Sequence, residues 1–271
     1  MYSNMIKLIA SDLDGTLLLP SGQLPQNAFD VITTIVDRGV LFIPASGRQY
    51  ASLKTLFPLL ADKSPFICEN GALVAYMGRT IHLDPLPVES AKRIILALQD
   101  LPEIHLIFCG ERTAFMRKDD PDFASKASTV YPCYKFVDNL LAIVEEEPCC
   151  KIAIYSEQGA RAQGYPAVLP HLDEHSSVIL SGGHWCDVMS KSASKGNAMR
   201  AVQKLLNIAP EECIAFGDHL NDLELLTACG RTFAPENAQP EIKAIAREII
   251  PSNADMGVLF TLKRLLQEGV I

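Results

Sequence analysis

The hydrophobic positions in the first part of the chain form short continuous runs that alternate with segments of helical periodicity. The continuous runs lie at 7–13, 40–45 and 65–68, and the helical segments lie at 26–37 and 50–57. In the first helical segment Phe29, Ile32 and Val36 share one face, and Gly39 follows as a stop signal. Strands that alternate with helices in this order predict a parallel sheet with helices on both faces.

This alternation stops after the third strand and returns near residue 185. Asn70-Gly71 between apolar stretches indicates a hairpin, and the prolines at 84–87 indicate a linker. The following hundred or so residues mix a helical pattern at 88–98 with strand patterns at 105–109 and 151–155, up to a Gly-rich hinge at 181–183. Beyond residue 185 come helical patterns at 195–206, 220–228, 241–246 and 257–267, with a strand at 213–217.

The simplest account of this pattern is one α/β core that is interrupted in sequence by a second domain. We predict a doubly wound, Rossmann-like core with a parallel sheet, formed by residues 1–84 and 185–271. Residues 85–184 are predicted to form an inserted α+β domain. A length of 271 residues suits a core of this kind with one insertion.

Composition excludes several classes of protein. With 48% hydrophobic residues the chain can bury a large core, and a net charge of −8 argues against nonspecific binding to nucleic acid or anionic membranes. No apolar run approaches the roughly 18 residues of a spanning helix, and Asp12 comes too early for a signal peptide. The 8 cysteines show no zinc-site spacing, so we expect reduced structural thiols and a soluble, cytoplasmic protein.

Two carboxylates, Asp12 and Asp14, follow the first predicted strand. Buried carboxylates are costly unless a cation or hydrogen bonds hold them. The alternative interpretation is that the pair only begins a turn. In an ideal strand the two side chains would point to opposite faces, so the chain must bend if both serve one site. Gly15 permits such a bend.

Three further polar sites lie at strand ends or helix starts, where open α/β sheets bind ligands. Ser46-Gly47-Arg48 follows the second strand and suits either phosphate binding at a helix N-terminus or a simple helix cap. Lys195 opens a helix, where a cation is unfavourable unless anions lie nearby, or it is a surface lysine. Asp218 and Asp222 are one helical turn apart, and they suit either a shared ligand or capping.

Together these sites predict a cluster of four carboxylates with one lysine and one serine. Converging carboxylates would repel one another unless a divalent cation lay among them, and oxygen ligands without Cys or His select Mg²⁺. A carboxylate nucleophile, a metal ion, a lysine and backbone donors match the requirements of phosphoryl transfer.

Along essentially its whole length, the chain resembles the haloacid dehalogenase-like hydrolase superfamily, specifically Cof-type phosphatases with an inserted type IIB cap. The segment 12–16, Asp-Leu-Asp-Gly-Thr, resembles the first family motif, and 46–48 the second. Lys195 resembles the third motif, and 217–222 the fourth. The region after the fourth motif departs from the family pattern because 233–238 reads Phe-Ala-Pro-Glu-Asn-Ala, where related chains carry a Met-Gly-Asn-Ala-like segment.

This resemblance implies a role for each matched position. Asp12 would be the nucleophile, and Asp14 the acid and base that also gives its backbone carbonyl to Mg²⁺. Asp218 and Asp222 would complete the metal site, the latter as a ligand or as an orienting residue. The residues implied in phosphoryl binding are Ser46, Gly47, Lys195 and Asn221, and those with a possible substrate contact are Arg48, Asn70 and Gly71.

The resemblance implies a Mg²⁺-dependent phosphatase of small phosphorylated metabolites, with no nucleic-acid or membrane partner. Two alternatives stay open. A hexose phosphomutase would use Asp12 and Asp14 but return the phosphoryl group to the sugar. A non-catalytic phospho-acceptor or binding protein would also phosphorylate an aspartate, although Asp14 beside Asp12 and the large insertion argue against it. The substrate and the oligomeric state are not identified by the sequence.

Overall fold

A computed structural model of the chain describes residues 5–119 and 121–271. Its strands are β1 Leu8–Ser11, β2 Leu41–Pro44, β3 Phe66–Cys68, β4 Leu73–Tyr76, β5 Arg79–Leu83, β6 Ile104–Gly110, β7 Ala114–Arg117, β8 Tyr134–Val137, β9 Cys149–Ser156, β10 Ser176–Leu180, β11 Trp185–Ser190, β12 Cys213–Phe216, β13 Arg231–Pro235 and β14 Glu248–Ile250. Its α-helices are α1 Ala28–Asp37, α2 Tyr50–Leu56, α3 Val88–Leu98, α4 Pro121–Ala127, α5 Tyr165–Val168, α6 Lys195–Leu206, α7 Leu223–Thr227, α8 Pro240–Ile245 and α9 Gly257–Gln267.

The chain divides into two compact units. The first comprises the described residues up to Ser46 together with Phe57–His82 and Ser194–Ile271. The second comprises Gly47–Leu56 and Leu83–Ala193. The limits predicted for the insertion, 85 and 184, therefore differ from these compact limits, chiefly because β11 pairs with β9.

The first unit contains the predicted parallel sheet. Its five strands have the order β14-β13-β12-β1-β2, and each neighbouring pair is parallel. Leu8 and Ala10 of β1 face a buried cluster that includes residues of α6, α7 and α8. Ile9 alternates to the opposite face, and α1 contacts both α9 and β2. The doubly wound α/β core predicted from the sequence is confirmed.

A small antiparallel sheet completes this unit. The predicted hairpin at Asn70-Gly71 is confirmed, because β3 pairs antiparallel with β4 around it and β5 follows at the edge. The predicted third strand thus extends the parallel sheet only through a single bridge between Ala45 and Ile67. The backbone groups of β3 pair mainly with β4 in the hairpin.

The second unit is built on a six-stranded sheet of order β10-β11-β9-β6-β7-β8, in which the pair β7–β8 is parallel. The helices α3 and α5 contribute to the apolar cluster on one face, and α4 contributes to the cluster on the other. This mixed architecture matches the predicted α+β class of the insertion. All eight cysteines are free thiols, and among the described residues no helix is both long and apolar enough to cross a bilayer.

Candidate active site

Two neighbouring parallel strands bring the first and fourth motifs together. Ser11 of β1 stands beside Phe216 of β12, so both strands end at the same edge of the sheet. The backbone N–H of Asp12 donates to the carbonyl of Phe216 over 3.0 Å, which extends the pairing by one residue. Asp12 and the segment that begins at Gly217 therefore leave the sheet side by side.

The bend predicted after Asp12 is present. Leu13–Leu17 form one helical turn that Asp14 and Gly15 interrupt, and Gly15 has a φ of +85°. A Cβ atom at Gly15 would overlap the carboxyl group of Asp218, and the positive φ would strain any other residue, so glycine is strongly favoured here. The Asp14 side chain is exposed, whereas Asp12 is buried with 6% of its surface accessible.

Lys195 is the central cation of the site. Its Nζ lies 2.5 Å from Oδ1 of Asp12 and 2.6 Å from Oδ1 of Asp222, and all three side chains are buried. Ser194 caps the helix that Lys195 opens, since its hydroxyl accepts from the backbone N–H of Asn197 over 3.1 Å. The two carboxylates are the nearby anions that a cation at this helix end requires.

The two carboxyl oxygens of Asp222 have separate partners. Oδ1 accepts from Lys195, and Oδ2 accepts from the backbone N–H groups of Asp218 and His219 over 3.0 and 3.1 Å. Asp218 in turn accepts through Oδ1 from the Thr16 hydroxyl over 2.7 Å. Asp222 is thus tied both to Lys195 and to the backbone of the loop that carries Asp218.

Burial and mutual repulsion set the protonation behaviour of the cluster. Burial raises the pKa of Asp12 well above its ordinary value, the Asp222 charge raises it further, and Lys195 opposes both. Burial also raises the pKa of Asp218. Burial lowers the pKa of Lys195, but the two carboxylates outweigh this, and the net shift is upward. Lys195 therefore remains a cation. The carboxylates still repel one another, so a further cation bound among them would be stabilised.

The donor set fits a hard divalent cation. One carboxyl oxygen from each of Asp12, Asp218 and Asp222 lies within 4.8 Å of the others. Three acidic groups face one lysine, so negative charge is in excess, and the ligand atoms are all oxygens. The exposed carboxylate of Asp14 is not part of this group.

The second motif divides between the two compact units. Ser46 is buried in the first unit, where its N–H donates to Ile67 over 2.9 Å and its carbonyl accepts from the N–H of Asn70 over 3.1 Å. Since Ala45 donates to the carbonyl of Ser11, Ser46 follows a strand adjacent to that of Asp12. Gly47 and the half-buried Arg48 begin the segment that belongs to the second unit.

Asn70 and Gly71 connect the hairpin to the site. The Asn70 side-chain oxygen accepts from Nδ2 of Asn221 over 3.2 Å, which links the hairpin to the fourth motif. Gly71 has a φ of +98°, and a Cβ atom there would lie 2.2 Å from the Ser194 carbonyl oxygen and 2.6 Å from the Lys195 nitrogen. The hairpin therefore supports the start of the lysine helix.

We expect Gly71→Ala to destabilise the protein much more than Gly78→Ala. Both glycines have a positive φ, which costs alanine about 1–2 kcal/mol, but a Cβ at Gly78 meets no atom within 4 Å. At Gly71 the added methyl must also displace the backbone of Ser194 and Lys195. Urea unfolding of both variants tests this, and equal losses would show that the close approach is easily relaxed.

A series of hydrogen bonds through Asn237, near the site, was not assigned a role from the sequence. Nδ2 of Asn237 donates to the Gly15 carbonyl over 2.7 Å, and its Oδ1 accepts from the N–H of Asn253 over 2.9 Å. The carbonyl of Asp218 accepts from the Gln239 N–H over 2.9 Å. The sequence feature that could have indicated this role is the Asn-Ala pair at 237–238, which matches the family pattern although the rest of 233–238 departs from it.

Comparison with known proteins agrees with this geometry. A family model described as haloacid dehalogenase-like hydrolase matches residues 9–262. The chain is 30% identical over 264 residues to the 5-amino-6-(5-phospho-D-ribitylamino)uracil phosphatase YbjI of Escherichia coli, with 97% of each chain covered.

Solved structures of similar proteins share this fold. The TM0651 protein of Thermotoga maritima matches with a TM-score of 0.83 at 26% identity, over 96% of this chain and 97% of its own. The subclass IIB sugar phosphatase BT4131 matches in fold, with a TM-score of 0.77 at 18% identity, over 98% of this chain and 100% of its own. The resemblance drawn from the motifs is confirmed: the chain belongs to the haloacid dehalogenase-like hydrolase family.

Proposed function

We propose that this protein is a Mg²⁺-dependent phosphatase that hydrolyses small phosphorylated metabolites through a phosphoryl group transferred to Asp12. The observation that carries the proposal is the buried carboxylate of Asp12, held by Lys195 beside Asp218 and Asp222. A buried carboxylate at a strand end, next to a fixed cation, is a preorganised nucleophile. The Escherichia coli relative is named for a phosphomonoester substrate, which supports a small metabolite here.

The reaction consists of two displacements at phosphorus. In the first, an oxygen of Asp12 forms a bond to phosphorus while the bond to the leaving oxygen breaks, and Asp14 gives that oxygen a proton. In the second, Asp14 takes a proton from water, the water oxygen bonds to phosphorus, and the bond to Asp12 breaks. Inorganic phosphate is released, and both carboxyl groups return to their starting protonation states.

The surrounding residues position the phosphoryl group and offset its charge. Lys195 holds Asp12 in place and supplies a positive charge close to the attacking oxygen. The hydroxyl of Ser46 would donate to a phosphoryl oxygen at the same sheet edge. Mg²⁺, when bound, would offset the negative charge of the phosphoryl group, and Asp12, Asp218 and the backbone carbonyl of Asp14 would hold it. Asp222 would orient Asp218 and Lys195.

A panel of phosphorylated metabolites tests the proposed activity and narrows the substrate. Purified protein should release inorganic phosphate from at least one sugar phosphate or similar monoester, and Asp12→Asn should release none. Sugar monophosphates are informative because a phosphomutase would produce an isomer of the sugar phosphate instead. Isomer without inorganic phosphate, or no turnover of any ester, would contradict the proposal.

We expect turnover to require Mg²⁺, so that EDTA removes it and added Mg²⁺ restores it. Ca²⁺ should bind but support turnover poorly, because its longer and more variable coordination misplaces the phosphorus relative to Asp12. Mg²⁺ should also raise the melting temperature, and Asp218→Asn should diminish this shift. Full activity in EDTA, or recovery with Zn²⁺ alone, would count against the site.

A further inference from the structure

The backbone that carries Asp14 forms a tight turn in the first unit. Asp14 has a φ of −74° and a ψ of 116°, and Gly15 has a φ of 85° and a ψ of −9°. These angles are close to those of the two central residues of a type II turn. Leu13 and Thr16 on either side are buried, whereas Asp14 is exposed. The groups that hold the backbone of this turn therefore decide where the Asp14 carboxyl group is presented.

Asn237 holds this turn from the loop that follows β13. Its Nδ2 donates to the Gly15 carbonyl over 2.7 Å, although the two residues are 222 positions apart in sequence. Asn237 comes two residues after Pro235, which ends β13 and stands beside Ile250 of β14. The bond therefore ties the turn to the edge of the parallel sheet.

Asn253 fixes the orientation of the Asn237 amide. Its backbone N–H donates to Oδ1 of Asn237 over 2.9 Å, so the oxygen of that amide faces a donor and its nitrogen faces an acceptor. Asn253 also holds the first motif directly, because its Nδ2 donates to the Leu18 carbonyl over 2.8 Å. Asn253 is only 9% exposed, so this second bond is largely shielded from water. The asparagine pair, Asn237 and Asn253, thus grips the chain at Gly15 and at Leu18.

The loop of Asn237 bonds to the fourth motif as well. The Gln239 N–H donates to the Asp218 carbonyl over 2.9 Å, and the Glu236 N–H donates to the Ile250 carbonyl over 2.9 Å. One loop therefore fixes both carboxylate-bearing segments relative to the sheet. Asn237 itself is exposed, so water can replace either of its bonds, and each contributes only about 1 kcal/mol to stability. Stability alone gives little reason for its two matched bonds.

We propose that Asn237 is a positioning residue for Asp14, acting through the Gly15 carbonyl, and that Asn253 holds Asn237 in place. This role rests on the proposed phosphatase function, in which Asp14 gives a proton to the leaving oxygen and later takes one from water. Proton transfer requires the two heavy atoms to approach within roughly 2.6–3.2 Å. A turn that is not held presents the carboxyl group at that distance for a smaller fraction of the time, and the steps that need its proton slow down.

Two aryl esters of similar shape test this role in the variant Asn237→Ala. Nitrophenolate leaves without a proton, so kcat/KM for p-nitrophenyl phosphate should fall less than about threefold. Phenolate is a poorer leaving group that needs the proton of Asp14. The kcat/KM for phenyl phosphate should therefore fall about 10- to 100-fold, a part of what a general acid contributes. The melting temperature should stay close to that of the wild type, because Asn237 is exposed.

Two further variants separate positioning from folding. Asn253→Ala leaves the Leu18 carbonyl without its side-chain donor, so it should lower the melting temperature. It should also change the ratio of kcat/KM for the two esters in the same direction, more weakly, because its backbone N–H still holds Asn237. Gln203→Ala is the matched control, since Gln203 is a buried amide of the same unit that donates to the Ala228 carbonyl over 2.8 Å. It should lower the melting temperature and leave the ratio unchanged.

Several results would overturn this role. Equal losses for the two esters, or no loss, in folded Asn237→Ala would show that the asparagine pair only stabilises the fold, and so would failure of both asparagine variants to fold. A changed ratio in Gln203→Ala would show that the ratio follows stability instead. Asp14→Asn is the reference, since it should lose phenyl phosphate most selectively of all. If it does not, or if the wild type turns over neither ester, the proposed function fails as well. A selective Asp14→Asn with an unselective Asn237→Ala overturns only the role of Asn237.

Discussion

Asp12→Asn is expected to reduce turnover by roughly 10⁵- to 10⁶-fold while the protein stays folded, because an amide cannot act as the nucleophile and losses of that order follow when a catalytic nucleophile is removed. The fold should tolerate the change. Burial and the Asp222 charge already raise the pKa of Asp12, so a neutral side chain relieves repulsion in the cluster. Melting should therefore occur at the wild-type temperature or slightly above it.

The control for this variant is Asp30→Asn on the exposed surface of α1, which should keep wild-type kinetics. Phosphate release from p-nitrophenyl phosphate, measured together with a thermal melt, gives both quantities on one sample. Activity above a few per cent of wild type in a folded Asp12→Asn variant would contradict the covalent mechanism.

Lys195→Met is expected to cost about 3–5 kcal/mol in the free energy of unfolding and to abolish turnover. Removing one partner of a buried ion pair leaves the opposite charge uncompensated, and here Asp12 and Asp222 both lose their cation. Adding Asp12→Asn to this variant should recover part of the stability, because one of the two unpaired charges is then absent. Urea unfolding of the two single variants and the double variant measures the coupling.

The same variant should show a characteristic dependence on pH. A carboxyl whose pKa is raised in the folded state binds its proton more tightly there than in the unfolded chain, so stability falls as pH rises above the ordinary value of 3.8. Loss of Lys195 removes the group that opposes this shift. The melting temperature of Lys195→Met should therefore fall more steeply with rising pH than that of the wild type, and parallel curves would contradict the ion-pair account.

The clustering of Asp12, Lys195 and Asp218 at one sheet edge was predictable from the sequence, because each residue stands beside a local signal. Asp12 follows an apolar run, Lys195 opens a periodic helix, and Asp218 follows a second apolar run. Parallel strands place such ends together whatever the details of packing. The bend at Gly15 was predictable as well, since two carboxylates two residues apart cannot otherwise face one site.

The contacts that join distant segments were not predictable. Lys151 reaches Gly47 across 104 positions and Gln49 reaches Cys133 across 84, and neither pair has a spacing that marks it. The apolar pattern of Trp185–Ser190 would suit a strand in either unit. Only its pairing with β9 shows that it belongs to the six-stranded sheet. Gly71 appeared as a turn glycine, while its approach to Ser194 depends on how the hairpin packs.

The most direct test of the account is to trap the phosphoryl group on Asp12. The variant Asp14→Asn should still accept the group from p-nitrophenyl phosphate, because nitrophenolate leaves without a proton, but it cannot activate water for the second displacement. With ³²P-labelled ester and an acid quench, we expect label that hydroxylamine removes, located in the tryptic peptide 8–38. The same variant carrying Asp12→Asn should remain unlabelled. Label that survives in this double variant, or wild-type turnover with no labelled protein in either enzyme, would contradict Asp12 as the nucleophile.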